Sequence, residues 1–564
     1  MKKINYILGL CLLTLGSLTA CDSILDKEPL DQFTDSNFWK SEGNVQAYAN
    51  VFYASFTGYG NGSGTGLYYF KTLSDDQAGN SFADWDHKNY LTSNSTWSNS
   101  YIEIRRANAM LEKIPNIDAT DAVKAHWEGV GRLMRAYNYF QLVRMFGDVP
   151  YTDKKLDITD EGVLYGPRTD RDEVMDKVLE DLNFAASNIN DVTSKITWSR
   201  SMANAMKADI CLWEGTFRKY RSSADGQPAA DAAGAQKFLQ ACKDACSFIM
   251  GKSYELNDSY QANYNSLSLA SNPEMIFYKA YEKDILKHSL IDYTCTSTQI
   301  SGLSKDAFES YLLTDGKPMG LSSLDDTDVA PMVDGKLDLT NILAVRDKRL
   351  SETIDHVLLY EGNPNQRFDG DMNQESSTGY GVSKYDNGTL PLADRNQGNS
   401  NYTDCPLYWL SVVYLNYAEA CAELGSITDT DLNNSINKLR ARAGLPALTT
   451  NVGFTDPKND RGVSDLIWEI RRERRSELMF DNWFRYWDLV RWHMLDKLNS
   501  TNYPDILLGA NISNDATYEG DKSGNYIDGS KGKTRDFDKK YYLYPVPSGQ
   551  SDLNEQLLPN NPGW

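Results

Sequence analysis

Apolar residues recur at three- and four-residue steps through much of the first half of the chain. From Trp97 to Ile114 the repeat runs through Tyr101, Ile104, Ala107 and Leu111; from Trp127 to Phe146 it runs through Val130, Leu133, Tyr137, Phe140 and Val143. Both spacings predict amphipathic helices. Gly147, with Pro150 close behind, marks a stop for the second. The same period predicts helices over Arg171–Ile189, Ser201–Tyr220 and Ala235–Met250, the first with Val174, Val178, Leu182 and Ala185 inward. It returns over Leu407–Leu424, Asp431–Ala443 and Leu466–Leu498, the last broken near Asp481 and Asn482.

The middle has a different texture. From Asn257 to about Asp404 the chain is rich in Gly, Asn, Asp, Ser and Tyr, with short strand-like pieces such as Met275–Tyr278. So much irregular chain inside a folded body reads as binding loops, and its aromatic content argues against disorder. Helices in pairs suggest tetratricopeptide-like packing, with insertions that blur the repeat. The expected fold is therefore mostly α: a helical-repeat scaffold carrying a loop-rich insert.

The first twenty residues set an address. Lys2 and Lys3 precede an apolar run, Ile7 to Leu15, of signal-peptide length, too short to span a bilayer. Leu18-Thr19-Ala20-Cys21 then reads as a bacterial lipobox, with Cys21 lipidated and the segment before it removed. That removal takes two positive charges from a chain already at −21, leaving −23. Such an acidic chain is a poor partner for nucleic acid. The 12 Trp and 34 Tyr against 5 His favour stacking and hydrogen bonding over metal ligation. Beyond Cys11 and Cys21, the six remaining cysteines are too few for a disulfide scaffold in a chain this long and read as small core residues. No phosphate-binding G-x-x-x-x-G-K-[ST] loop, H-E-x-x-H zinc signature or complete calcium loop is present, so no cofactor or metal is expected.

Several blocks in order resemble the SusD/RagB family of outer-membrane nutrient-binding lipoproteins. They are Leu133–Phe140 running on to Phe146-Gly147-Asp148-Val149-Pro150; Tyr165-Gly166-Pro167-Arg168 with Glu173 and Asp181; Tyr414–Ala420; Glu473–Leu478 followed by Arg485–Trp492; and the closing Asn561-Pro562-Gly563-Trp564. One departure is visible: Phe480–Arg485 stands where an acid-Gly-x-Arg turn is expected, and Asn482 is the residue expected to supply the left-handed conformation of that Gly. The resemblance implies residues 1–20 as signal, 21–255 as an N-terminal helical region with four tetratricopeptide-like pairs, and 256–564 as a C-terminal region with binding loops, both packed as one body. It further implies a surface-exposed, lipid-anchored protein that captures a glycan, or in some members a peptide. Such a protein acts as a lid delivering the ligand to a SusC-type TonB-dependent barrel, and it is a binding protein and not an enzyme.

A sugar ring presents an apolar C–H face to an indole or phenol and its hydroxyls to carboxylate, amide and guanidinium groups. Loop aromatics are thus the first candidates. Trp85, flanked by Asp84 and Asp86, is the expected platform with hydroxyl acceptors beside it. Tyr68 and Tyr69, after a Gly-rich stretch, are candidates for the same wall. In the insert, Arg367, Asn401 and Tyr402 are candidates for a guanidinium clamp and a second wall, and Cys295 either lies near the site or is a buried core residue. Helical aromatics such as Tyr137 and Trp487 are assigned to the core. The charged run Glu473–Glu477 with Arg485 and Asp488 could in principle serve glycoside hydrolysis; acids and arginines on adjoining helices read instead as structural ion pairs.

Overall fold

A computed structural model of the chain describes residues 38–60, 66–70, 73–80, 82–296 and 298–564. The lipobox and Cys21 lie outside the described residues. No helix among the described residues is long and apolar enough to cross a membrane.

The helical half follows the apolar periodicity. After α1 (Glu42–Ala49) come α2 (Ser95–Lys113), α3 (Asp121–Phe146), α4 (Arg171–Asn188), α5 (Arg200–Tyr220) and α6 (Ala232–Met250). Five of them start at a side-chain cap: Asn94, Thr120, Asp170, Ser199 and Asp231 each accept from a backbone N–H of the first turn, relieving a helix end of its orphan donors. Gly147, at φ +71°, closes α3. Each helix from α2 onward packs on the next, and the apolar stripes merge into one core that runs into the C-terminal half.

That half begins with a two-stranded antiparallel sheet. Strand β1 (Met275–Lys279) pairs with β2 (Cys405–Trp409), from Met275 opposite Trp409 to Lys279 opposite Cys405. The irregular insert therefore leaves and re-enters the body at one place. Strand β2 is buried at every position and runs directly into α7 (Leu410–Glu423), which packs on α6. The helix expected over Asp431–Ala443 is two short ones, α8 (Asp429–Asn434) and α9 (Ile436–Arg442), broken at Ser435. The last long helix is likewise split into α10 (Asp465–Glu477) and α11 (Asn482–Arg491).

The break lies where expected, but its left-handed residue is Phe480 (φ +67°), with Asn482 already helical. A bulky residue pays for that conformation only if its surroundings hold it. Here the Phe480 carbonyl accepts from the Tyr69 N–H and the Tyr385 hydroxyl, both at 3.0 Å. The next residue, buried Asp481, accepts from Lys384 Nζ and from the Tyr264 hydroxyl, each at 2.8 Å.

The charged run on α10 and α11 is scaffold. Glu473 pairs with Arg349 and Arg440, and Glu477 with Arg349 and Arg442. Arg485 grips Asp75, and Asp488 bridges Arg474 and Arg491; all but half-buried Arg442 are buried. All six cysteines among the described residues are buried free thiols.

Candidate functional site

A cleft of 720 Å³ with mixed chemistry is framed by α2, the C-terminal half of α3, α11 and the loop around residues 82–86. One wall is aromatic. Trp483, Tyr486 and Trp487 stand at i, i+3 and i+4 on α11, one face of the helix, and Tyr137 of α3 joins them; all four are half-buried. The Arg144 guanidinium lies 4.3 Å from the Trp487 ring centroid and takes Gln141 as a hydrogen-bond partner, which leaves its Nε buried without one. Burial pushes the Arg144 side chain down to about 10. Trp483 Nε1 is likewise buried with no acceptor.

The cleft also carries oxygen. Asp84, Asp86 and Glu103 line it, with Asn94, Asn99 and Asn138 between. Asp84 accepts from the Trp85 N–H at 2.9 Å and from Lys88 Nζ at 3.2 Å. Asp86 accepts from the Tyr544 hydroxyl at 2.6 Å and contacts His87 Nδ1 at 3.0 Å, with its side chain 69% exposed. Glu103 pairs with Arg106, and its second oxygen has no partner. Rings together with carboxylates and amides in one cleft fit a ligand with apolar C–H faces and many hydroxyls.

Of the ligand-binding candidates named from the sequence, only Asp84 and Asp86 stand on this cleft. Trp85 does not offer its ring: it is 3% exposed, stacked on Tyr541 at 4.6 Å, and its Nε1 donates to the Asp536 carbonyl at 2.7 Å. Alternation along the loop turns the two aspartates outward and the indole in. Tyr68 and Tyr69 are fully buried. Tyr68 donates to the Pro406 carbonyl. Tyr69 donates to the Ser301 carbonyl at 3.0 Å, and burial raises its hydroxyl to about 12. Neither forms a wall.

The insert candidates come together, but as the frame of the insert. Arg367 is spent on Asp355 (2.7 and 2.8 Å), Asp386 (3.0 Å) and the carbonyls of Thr294 and Val382. Asn401, fully buried, donates to the carbonyls of Asp394 and Arg395 and accepts from the Asp292 N–H. Cys295 is buried against Ile291 and Leu390. Its sulfur lies within 4.8 Å of carboxylate oxygens of Asp371 and Asp386, but both acids are bidentate partners of Arg395, a guanidinium where a cation would have to sit. Tyr402 alone stays half-exposed, its hydroxyl 3.3 Å from Asp394 and Lys283 Nζ 5.7 Å from its ring centroid.

Trp483, Tyr486, Tyr544 and Arg144 escape the sequence reading, and Tyr137 and Trp487 are cleft residues as well as core ones. The available signal was the clustering of three aromatics on one face of a ten-residue helix.

Residues 273–564 match the sequence model of the SusD family, and residues 24–212 match a family described as starch-binding, associating with outer membrane. The chain is 24% identical to SusD-like protein P2 of Formosa agariphila across the whole of both chains. It is 31% identical to SusD-like protein P38 of the same organism, over 38% of this chain and 43% of that one. Among solved structures, a SusD-like carbohydrate binding protein of Bacteroides fragilis superposes with a TM-score of 0.69 at 22% identity, covering 92% of this chain and all of the other. A laminarin binding SusD-like protein superposes with a TM-score of 0.56 at 20% identity, over 93% and 100%.

Proposed function

Since the chain belongs to the SusD family, we propose that it is a cell-surface lipoprotein, acylated at Cys21, that binds a glycan in this cleft and hands it to a SusC-type TonB-dependent transporter of the outer membrane. The observation that carries the reading is the pairing of half-open rings (Tyr137, Trp483, Tyr486, Trp487) with Asp84, Asp86 and Glu103 across one 720 Å³ cleft. Binding here is stacking and hydrogen bonding, with no covalent step. Delivery follows from closure: a ligand held between this protein and the barrel gains contacts from both, and the added burial offsets the cost of ordering it.

Calorimetry against glycan and peptide panels tests the reading. A glycan should bind, and Trp483→Ala should weaken it about tenfold, the upper end of what one aromatic contact contributes. Binding of peptides with no glycan bound would replace the ligand and keep the fold. Palmitate labelling that survives Cys21→Ser would remove the proposed anchor.

A further inference from the structure

A second concavity, of 410 Å³, opens in the insert and is lined by Gln261, Asp355, His356, Asn365, Arg367 and Phe368. Phe368 is 38% exposed, and its surroundings hold it in place. The Arg395 guanidinium lies 4.8 Å from its centroid and is itself fixed by four hydrogen bonds of 2.7–2.9 Å to Asp371 and Asp386. Gly388 meets the ring edge so closely that a Cβ there would come within 2.8–3.0 Å of it. The preceding residue is Arg367, with its five anchoring bonds. One ring face is thus backed by a rigid cation and the ring is fixed before any ligand arrives, which lowers the ordering cost of binding. Around it stand groups that bond hydroxyls: exposed Gln366 and His356, and half-buried Asn365 and Gln261.

A chain of contacts through the interior links this concavity to the first. Arg367 Nη1 donates to the Thr294 carbonyl at 3.0 Å. The neighbouring Tyr293 packs edge-on against Phe70 at 5.0 Å, and Phe70 lines the larger cleft. From the fixed, exposed ring and the hydroxyl-bonding groups around it we infer that the Phe368 concavity is a second saccharide subsite, so that the ligand is an extended sugar chain engaging both concavities. The inference rests on the glycan reading above. Two linked subsites bind more tightly than either alone because the second engagement is intramolecular.

Calorimetry on the full chain with laminarin, amylopectin, inulin and mannan, each as polymer and as short oligosaccharides, tests it. For whichever glycan the wild type binds, the polymer should bind more tightly than the short form. Phe368→Ala should weaken the polymer about 3- to 10-fold and leave the short form unchanged; Phe368→Trp, a larger platform, should tighten the polymer. Thermal melts of both variants report whether the fold is kept. The inference is overturned if Phe368→Ala binds polymer like the wild type, if it loses both forms equally, or if wild-type affinity does not depend on chain length. Failure of every glycan to bind would overturn the glycan reading, and this inference with it.

Discussion

Two aspartate pairs lie within the segment 75–86 and have opposite fates. Asp75 and Asp76 are 0% and 1% exposed. Arg485 takes both oxygens of Asp75 at 2.6 and 2.7 Å, while Arg475 donates to Asp76 at 2.7 Å and to Asp306 at 2.8 Å. Asp84 and Asp86 have side chains 39% and 69% exposed, and their partners are Lys88, His87 and Tyr544. Residue type and local sequence do not separate the pairs; what separates them is whether arginines from α10 and α11 reach the carboxylates before water does. A buried carboxylate is tolerable only with such a partner. An exposed one is solvated without such a clamp and stays where a ligand can reach it.

The sharpest way to break this contrast is to remove the clamp. Arg475→Ala takes the hydrogen-bonded guanidinium from Asp76 and Asp306, while Asp75 keeps Arg485, and loss of one partner of a buried ion pair costs about 3–5 kcal/mol. Urea denaturation should show a large drop in midpoint. If the drop were no larger than for Asp86→Asn, the inner pair would not be scaffold in the sense argued.

Acid should find the same distinction. Burial alone would raise the Glu419 carboxyl, but Arg491, helped by Arg474 and Arg471, holds it down to about 2 against an ordinary 4.5. A carboxylate depressed on folding contributes stability that is complete above its unfolded value and is lost as pH falls through the folded one. The window is therefore from about 4.5 down to about 2, and the full loss is about 3 kcal/mol. Denaturation midpoints should fall steeply across that window in the wild type and less so in Glu419→Gln. An equal slope in the two proteins would show that Glu419 is not the acid-sensitive clamp.

The helices were legible because burial of one face imposes a period on the sequence, and α2 to α6 follow it to within a few residues. The ion pairs were legible too, since arginines and acids at helical spacing on adjoining helices can hardly be left unpaired. The site was legible only in part. Asp84 and Asp86 stand out as polar loop residues, but Trp85 between them turns inward because its indole finds Tyr541 and the Asp536 carbonyl, 450 residues away in sequence, an encounter no local pattern encodes. Conversely, the cleft rings of α11 look like core. They become a wall because α3, α2 and the 82–86 loop stop short of covering them, which is a fact of assembly and not of spacing.

The smallest expected effect is the most discriminating. In Asp86→Asn the amide oxygen can still accept from the Tyr544 hydroxyl, so stability should move by no more than about 0.5 kcal/mol, as for most exposed substitutions. What disappears is the charge on an acceptor facing the cleft, and charge-assisted hydrogen bonds are roughly twice as strong as neutral ones. Glycan affinity should therefore fall by about 1 kcal/mol, some fivefold. Asp84→Asn should do less, because both of its oxygens already serve the Trp85 N–H and Lys88. Calorimetry and thermal melts on the same samples separate the two effects. If Asp86→Asn lowered stability while leaving affinity intact, Asp86 would be a strut for Tyr544, and the outer pair would differ from the inner one only in degree.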